Sequence, residues 1–247
     1  MSSLNATLAA TLAMPPLDLA AFAFFLVCWL FYAPLLKLLS RGTLLNTDMT
    51  VIRGAWMGQM ARREVRLMDA NLLGHALNSA SFFASSNLLL IAAAAGALFG
   101  GESTFRSVSS LEVIQTSSRM LFEGQLALVM IVLSRGLLDF IWAIRQMNYS
   151  LAIMGAAPEG ETIDPGTQAA FAGAATRVLN PALSSFNTGV RGYYFALAGA
   201  AWLFGPFAFF GATLGAIGLL VWRQRRSPAA KAIHDLRKQI EAGSVDP

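Results

Sequence analysis

Residues 192–222 read GYYFALAGAAWLFGPFAFFGATLGAIGLLVW, thirty-one positions without a charge, and run straight into Arg223, Arg225 and Arg226. Crossing ~30 Å of hydrocarbon takes roughly 20 residues of helix rising about 1.5 Å each, so this stretch is too long for one passage and too short for two. The residues upstream resolve the count. Segments 184–204 and 207–226 can each form a helix of about 30 Å, with Gly205-Pro206 as the tight turn between them, because proline cannot continue the helical hydrogen-bond ladder.

Outward from that hairpin, the chain of 247 residues is 55% apolar and only 13% charged, whereas about a quarter of the residues in soluble domains are charged. A soluble fold has nowhere to hide so much apolar surface. Further crossings are predicted at about 17–36, 73–99 and 121–145, which makes five. Residues 1–16 hold no Lys or Arg, so the first apolar run lacks the basic region of a signal peptide and reads as a retained anchor.

Lys and Arg collect on the cytoplasmic side of short loops, and this fixes the orientation. With the N-terminus outside and five spans, fifteen basic residues fall inside: Lys37, Arg41, Arg53, Arg62, Arg63, Arg66, Arg145, Arg177, Arg191, Arg223, Arg225, Arg226, Lys231, Arg237 and Lys238. Only Arg106 and Arg119 fall outside. Four spans with the C-terminus outside would give nine against eight. The expected architecture is an all-α integral membrane bundle of five spans, N-out and C-in, in the bacterial inner membrane. The net charge of +4 comes from residues at the ends of apolar runs, a pattern that suits anionic lipid headgroups and excludes nucleic acid.

Between the spans, region 37–72 is predicted to carry a cytoplasmic interfacial helix. Asn46, Thr47 and Asp48 offer an N-cap, and Met49, Ile52, Trp56 and Met60 recur at helical spacing. Arg53, Trp56, Arg62, Arg63 and Arg66 are the expected contacts to lipid headgroups or a protein partner. Region 146–183 reads as a cytoplasmic loop, with an acidic linker followed by a short Ala-rich helix ending near Pro181. In the tail 227–247, Ser227-Pro228 can start a helix that lies on the membrane with Ile233, Leu236 and Ile240 on one face.

Ionisable residues within membrane spans usually face a protein interior. Arg135 and Asp139 are i and i+4 on the third span and can pair. With a span from Glu123 to Arg145 they lie about 15 Å and about 9 Å from the inner boundary. Asn71, His75, Asn78 and Ser85, with Ser81 beside them, form a polar stripe on the second span, and Asn187, Arg191 and Tyr194 share a face of the fourth. Asn78, Ser81, Ser85, Arg135, Asp139, Asn187, Arg191 and Tyr194 are expected to form one polar core. With two arginines against one aspartate, an anionic headgroup or metabolite is its logical occupant. A purely structural hydrogen-bond network is the competing account.

Other chemistry is excluded by what is missing. One cysteine, Cys28, and two histidines far apart leave no disulfide framework and no metal or haem site, and no cofactor is expected. No nucleophile has an adjacent base, so no catalytic residue is assigned and an enzyme is not expected. Gly211, Gly215 and Gly218 form a small-residue face that supports close packing within the chain or between copies, leaving a homo-oligomer or protein partner open.

The segments 53–60 (Arg53, Trp56, Met57, Met60), Ser81-Phe82-Phe83-Ala84-Ser85, Trp142-Ala143-Ile144-Arg145-Gln146-Met147-Asn148-Tyr149, Gly155-Ala156-Ala157-Pro158 and Phe186-Asn187 with Arg191 and Tyr193-Tyr194-Phe195 resemble an uncharacterised multi-pass membrane family, domain of unknown function 599. The resemblance covers roughly residues 20 to 230. It implies a membrane location and supplies no activity. Two functions remain: a non-enzymatic scaffold or accessory protein binding anionic lipid or a partner at the cytoplasmic face, or a small transporter or channel component with a polar core open to the cytoplasm.

Overall fold

The computed structural model describes residues 14–39, 44–116, 118–159 and 163–243, which contain helices and no strand. In chain order the helices are α1 (Pro16–Leu39), α2 (Leu45–Arg62), α3 (Leu67–Phe99), α4 (Gly101–Ser109), α5 (Arg119–Ala156), α6 (Pro165–Ala200), α7 (Pro206–Arg225) and α8 (Pro228–Glu241). Several starts are set by local chemistry. The Ser118, Asp164 and Ser227 side chains accept the N–H of Leu121, Thr167 and Ala230, and Pro165 and Pro228 sit in the first turn, where a missing N–H costs nothing.

The Gly205-Pro206 turn forms where the sequence places it. α6 ends at Ala200, a 3-10 turn follows over Ala201–Phe204, and Pro206 opens α7. Gly205 has φ +101°, a region that L side chains rarely adopt, and a Cβ there would lie 2.3 Å from Gln115 Oε1. The Gln115 N–H donates to Leu203 O at 3.0 Å, tying the α4–α5 connection to this turn.

Three stretches, Leu67–Phe99, Arg119–Ala156 and Pro206–Glu241, are long and apolar enough to cross a membrane, and Pro16–Tyr32 is a shorter apolar helix. The third comprises α7 and α8, with its apolar part in α7. α3, α5 and α6 hold 33, 38 and 36 residues, or about 50 to 57 Å of helix. Each is far longer than ~30 Å of hydrocarbon.

That surplus length gives the molecule two cores. The first packs Phe25, Tyr32, Val132, Phe195, Trp202, Phe209 and Leu220. The second packs Met57, Met60, Leu73, Ala80, Met147, Met154, Leu179 and Ala182. α5 and α6 run together through both, α1 and α7 flank the first, and α2 and α8 pair beside the second. Glycines let α5 and α6 approach: a Cβ on Gly136 would sit 3.4 Å from Gly189 O, and one on Gly189 would sit 2.7 Å from the Phe140 ring.

Three local expectations change. The Ala-rich segment and the fourth span are one helix, α6, with Pro181 inside it. Proline removes one backbone bond, but Ala175, Leu179 and Ala182 are all fully buried and hold the helix across it. Since α5 also continues to Ala156, most of region 146–183 is helix rather than loop. Asn46, Thr47 and Asp48 do not cap α2, which starts at Leu45 without a side-chain cap bond; the Asp48 carboxylate turns instead to α8.

Candidate functional site: a charged cavity between α1, α5 and α6

A cavity of about 400 Å³ opens where α1, α5 and α6 meet, with Arg135, Asp139 and Arg191 in its wall. The i,i+4 pair forms: Arg135 Nε donates to Asp139 Oδ2 at 3.4 Å, a long bond, with the Arg135 side chain two-thirds exposed and Asp139 at 17%. Arg191 comes from the facing helix. Its Nη2 donates to Thr188 Oγ1 at 2.6 Å, and its guanidinium lies 5.7 Å from the centre of the Tyr32 ring, a cation–π arrangement. The Tyr32 hydroxyl is buried and finds no hydrogen-bond partner among the described residues. Gly136 and Gly192 hold the two helices close here, since a Cβ on Gly192 would be 3.5 Å from Gly136 Cα.

The cavity is polarised along the helix axes. At one end of the first core, Asp18 accepts the Trp202 indole N–H at 2.7 Å and Gln125 Nε2 donates to Trp202 O at 3.1 Å, which puts the starts of α1 and α5 level with the end of α6. From there the chains lead to Ile131 and Phe195, which line the apolar end. One or two turns further come Tyr32, Arg135, Asp139, Thr188 and Arg191, which line the polar end. Leu30 and Ile131 at the wall are more than half exposed and so is the Arg135 side chain, so the cavity opens outward from the bundle at both ends.

Of the eight residues gathered into a polar core from sequence, three meet: Arg135, Asp139 and Arg191. Asn78, Ser81 and Ser85 are exposed on the outer face of α3. The α3 seam against α5 is Leu73, Ala80 and Asn87, at seven-residue spacing, and it turns the polar stripe away. Asn87, not Asn78, is the inward polar residue, donating from Nδ2 to Leu133 O at 2.8 Å. Asn187 donates to Asn46 Oδ1 at 3.1 Å on α2, and the Tyr194 hydroxyl accepts from Arg223 of α7. Tyr32 and Thr188 were not singled out in the sequence. Tyr32 lies in an apolar run with no polar neighbour to flag it, while the spacing of Thr188 to Arg191 on one helix face was a usable signal.

The residues of α2 and the turn after it that are expected at headgroups are mostly engaged within the protein. Arg53 is buried, reaching Asn180 Oδ1 at 3.5 Å, and burial draws its guanidinium below the ordinary value. Trp56 Nε1 and Arg63 Nη1 donate to the buried carboxylate of Asp69 at 2.7 and 2.5 Å. Arg66 donates to Ala157 O and Pro158 O at 2.5 and 2.7 Å, clamping the end of α5. Arg62 is exposed. α8 is bound to α2 by Asp48, which accepts from Arg237 Nη1 at 2.6 Å and lies 3.1 Å from His234 Nδ1. The hydrogen bond to Asp48, followed by that to Glu241, raises the Arg237 pKa above its ordinary value. Among the described residues no group of three or more His, Cys, Asp or Glu is placed to hold a metal ion. Gly211, Gly215 and Gly218 have open space where a Cβ would stand, so that face does not pack within the described chain.

Together these features define a helical bundle with three helices long and apolar enough to cross a membrane and a charged cavity that opens on the outside of the bundle. A family model described as protein of unknown function, DUF599, matches residues 20–229, and the chain belongs to that family. No curated protein and no solved structure matches it.

Proposed function

We propose that this is a multi-pass protein of the bacterial inner membrane with five crossings, N-terminus out and C-terminus in, acting as a non-enzymatic scaffold or accessory protein that holds an anionic inner-leaflet lipid in the α1–α5–α6 cavity. One observation carries the reading: two guanidiniums and one carboxylate occupy one end of a cavity that opens outward from the bundle and whose other end is apolar. That is the polarity profile of an amphiphile, with acceptor oxygens for the arginines and a chain for Ile131 and Phe195.

Helix register supports the depth. From Pro206 to Arg223, α7 rises about 26 Å, close to a hydrocarbon thickness. Counted from Gln125 at the level of the outer turn, Asp139 lies about 21 Å inward, within a side chain's reach of the Arg223 level. On this register the first core lies in lipid and the second in the cytoplasm, so the cavity's charged end sits near the inner headgroups. The sequence-derived depth of about 15 Å for Arg135 took Arg145 as the boundary, but α5 continues well past it.

The test is retention of lipid by the full-length protein purified from membranes, read by mass spectrometry. Anionic phospholipid should remain with the native chain and fall about tenfold in Arg191→Gln, the loss of one charge-assisted contact. Equal retention by both would remove the proposal. For topology, a cysteine at Ser103 should react with an impermeant thiol reagent in intact cells and one at Lys231 should not. The rival, a transport component, draws on the cavity volume, which would also admit a small anion; uptake of such an anion into vesicles holding the protein would favour it.

A further inference from the structure

The cavity's donors and acceptors specify more than negative charge. Building on the proposed lipid site, we infer that its occupant is a phosphodiester lipid whose headgroup carries a free hydroxyl, and that Asp139 is the residue that selects it.

Counted as formal charges, Arg135, Arg191 and Asp139 sum to one excess positive charge. A phosphodiester with one negative charge neutralises the site. A phosphomonoester carries about −1.5 to −2 near neutral pH, which leaves surplus negative charge beside a carboxylate. The donors also have a count. Both guanidiniums can point at phosphate oxygens, and the buried Tyr32 hydroxyl, without a partner among the described residues, has a proton to give. Asp139 is the opposite case. An ionised carboxylate only accepts, its Oδ2 holds Arg135 at a long 3.4 Å, and its other oxygen has no hydrogen-bond partner among the described residues. At 17% exposure in the cavity wall, that oxygen calls for a donor from the ligand. A hydroxyl beyond the phosphate supplies one without adding charge, whereas an ammonium headgroup cancels the lipid's anionic character and leaves the site's excess charge unmatched.

The experiment is competition binding to the purified full-length protein by native mass spectrometry, with equimolar short-chain phosphatidylglycerol, phosphatidic acid and phosphatidylethanolamine. For the native chain, phosphatidylglycerol should exceed each of the others by about tenfold. Asp139→Asn should keep anionic lipid bound but bring phosphatidylglycerol and phosphatidic acid to within about twofold, and Asp139→Glu should restore the preference. Tyr32→Phe should weaken both anionic lipids together without changing their ratio. Phosphatidic acid binding as tightly as phosphatidylglycerol, or an Asp139→Asn protein that keeps the native preference while unfolding at the native temperature, would overturn the inference and leave the anionic-lipid site standing, whereas phosphatidylethanolamine binding as tightly would overturn both. If no lipid binds above a phosphatidylcholine control, the lipid site itself falls and the inference with it.

Discussion

The two cores of this molecule share α5 and α6 yet are built from different materials. Around the first, Trp202 stacks on Phe209 at 4.8 Å and on Phe22 at 5.4 Å, with Phe25 and Phe195 beside them. The charges of this core are gathered on one side, in the cavity of Arg135, Asp139 and Arg191, and its other polar groups are singly placed, as with Gln125 and Asp18 on Trp202. Around the second, methionines and alanines fill the interior and ion pairs ring it: Asp69 with Arg63, and Asp48 with Arg237. Aromatic surfaces bury large areas with few rotatable bonds, and methionine fills irregular gaps. Chain connectivity does not cause the contrast, because the same two helices feed both. On the proposed register it is caused by solvent: lipid gives apolar side chains no transfer drive to associate, so shape and ring packing must hold the first core, while water drives the second together and solvates its charges.

The sharpest way to break this comparison is at Trp202, which is 1% exposed. Trp202→Ala removes two ring stacks, the Asp18 bond and the filling of the first core at once, and should lower stability by about 4 kcal/mol. Trp202→Phe keeps most of the volume and loses the N–H to Asp18, for about 1 to 2 kcal/mol. Both are measurable as thermal unfolding of the detergent-purified protein. A Trp202→Ala protein as stable as the parent would mean that ring packing does not hold the first core.

A smaller effect tests the junction between the cores. A Cβ on Gly189 would stand 2.7 Å from the Phe140 ring, and Phe140 is fully buried, so the ring cannot swing clear. Gly189→Ala should cost about 2 kcal/mol through overpacking. Adding Phe140→Leu should recover part of the loss, since the shared contact makes the two changes non-additive. Independent, additive losses would show that α5 and α6 do not meet there as closely as the backbone indicates.

The features legible in the sequence are mostly local. The Gly205-Pro206 break, the Ser227-Pro228 start and the Arg135–Asp139 pair depend on residues within one turn of each other, and all three appear. The polar stripe of Asn78, Ser81 and Ser85 illustrates the limit. Helical spacing says these residues share a face but not which way the face points, and the Leu73, Ala80 and Asn87 seam decides that. Arg53 and Arg63 look like headgroup ligands because they are basic on an amphipathic helix; only the fold shows Asn180 and Asp69 waiting for them. Pro181 reads as a helix end because its own backbone defect is visible in sequence, while the burial of Leu179 and Ala182 that outweighs it is not. Gly136, Gly189 and Gly192 set the α5–α6 approach, and through it two walls of the cavity, yet scattered single glycines on two helices give no signal in the sequence that they face one another.

The smallest expected effect concerns the rim of the second core. Asp48 is 3% exposed on its side chain, but its partners Arg237 and His234 are a quarter or more exposed. Removing the carboxylate in Asp48→Ala therefore lets both partners turn to water, so the loss falls below that of a fully buried pair, at about 1 to 2 kcal/mol. That loss is local. α8 touches the rest of the protein mainly through α2, so it should open without unfolding either core, and trypsin should cut at Lys231 or Lys238 about tenfold faster while the thermal midpoint barely moves. Asp48→Asn keeps an acceptor for Arg237 and should fall between the two. Unchanged cleavage in Asp48→Ala would show that α8 is held by its apolar face instead of its charges. A collapse of the thermal midpoint would show that the second core and its rim unfold as one unit, and the contrast between the two cores would then extend to cooperativity.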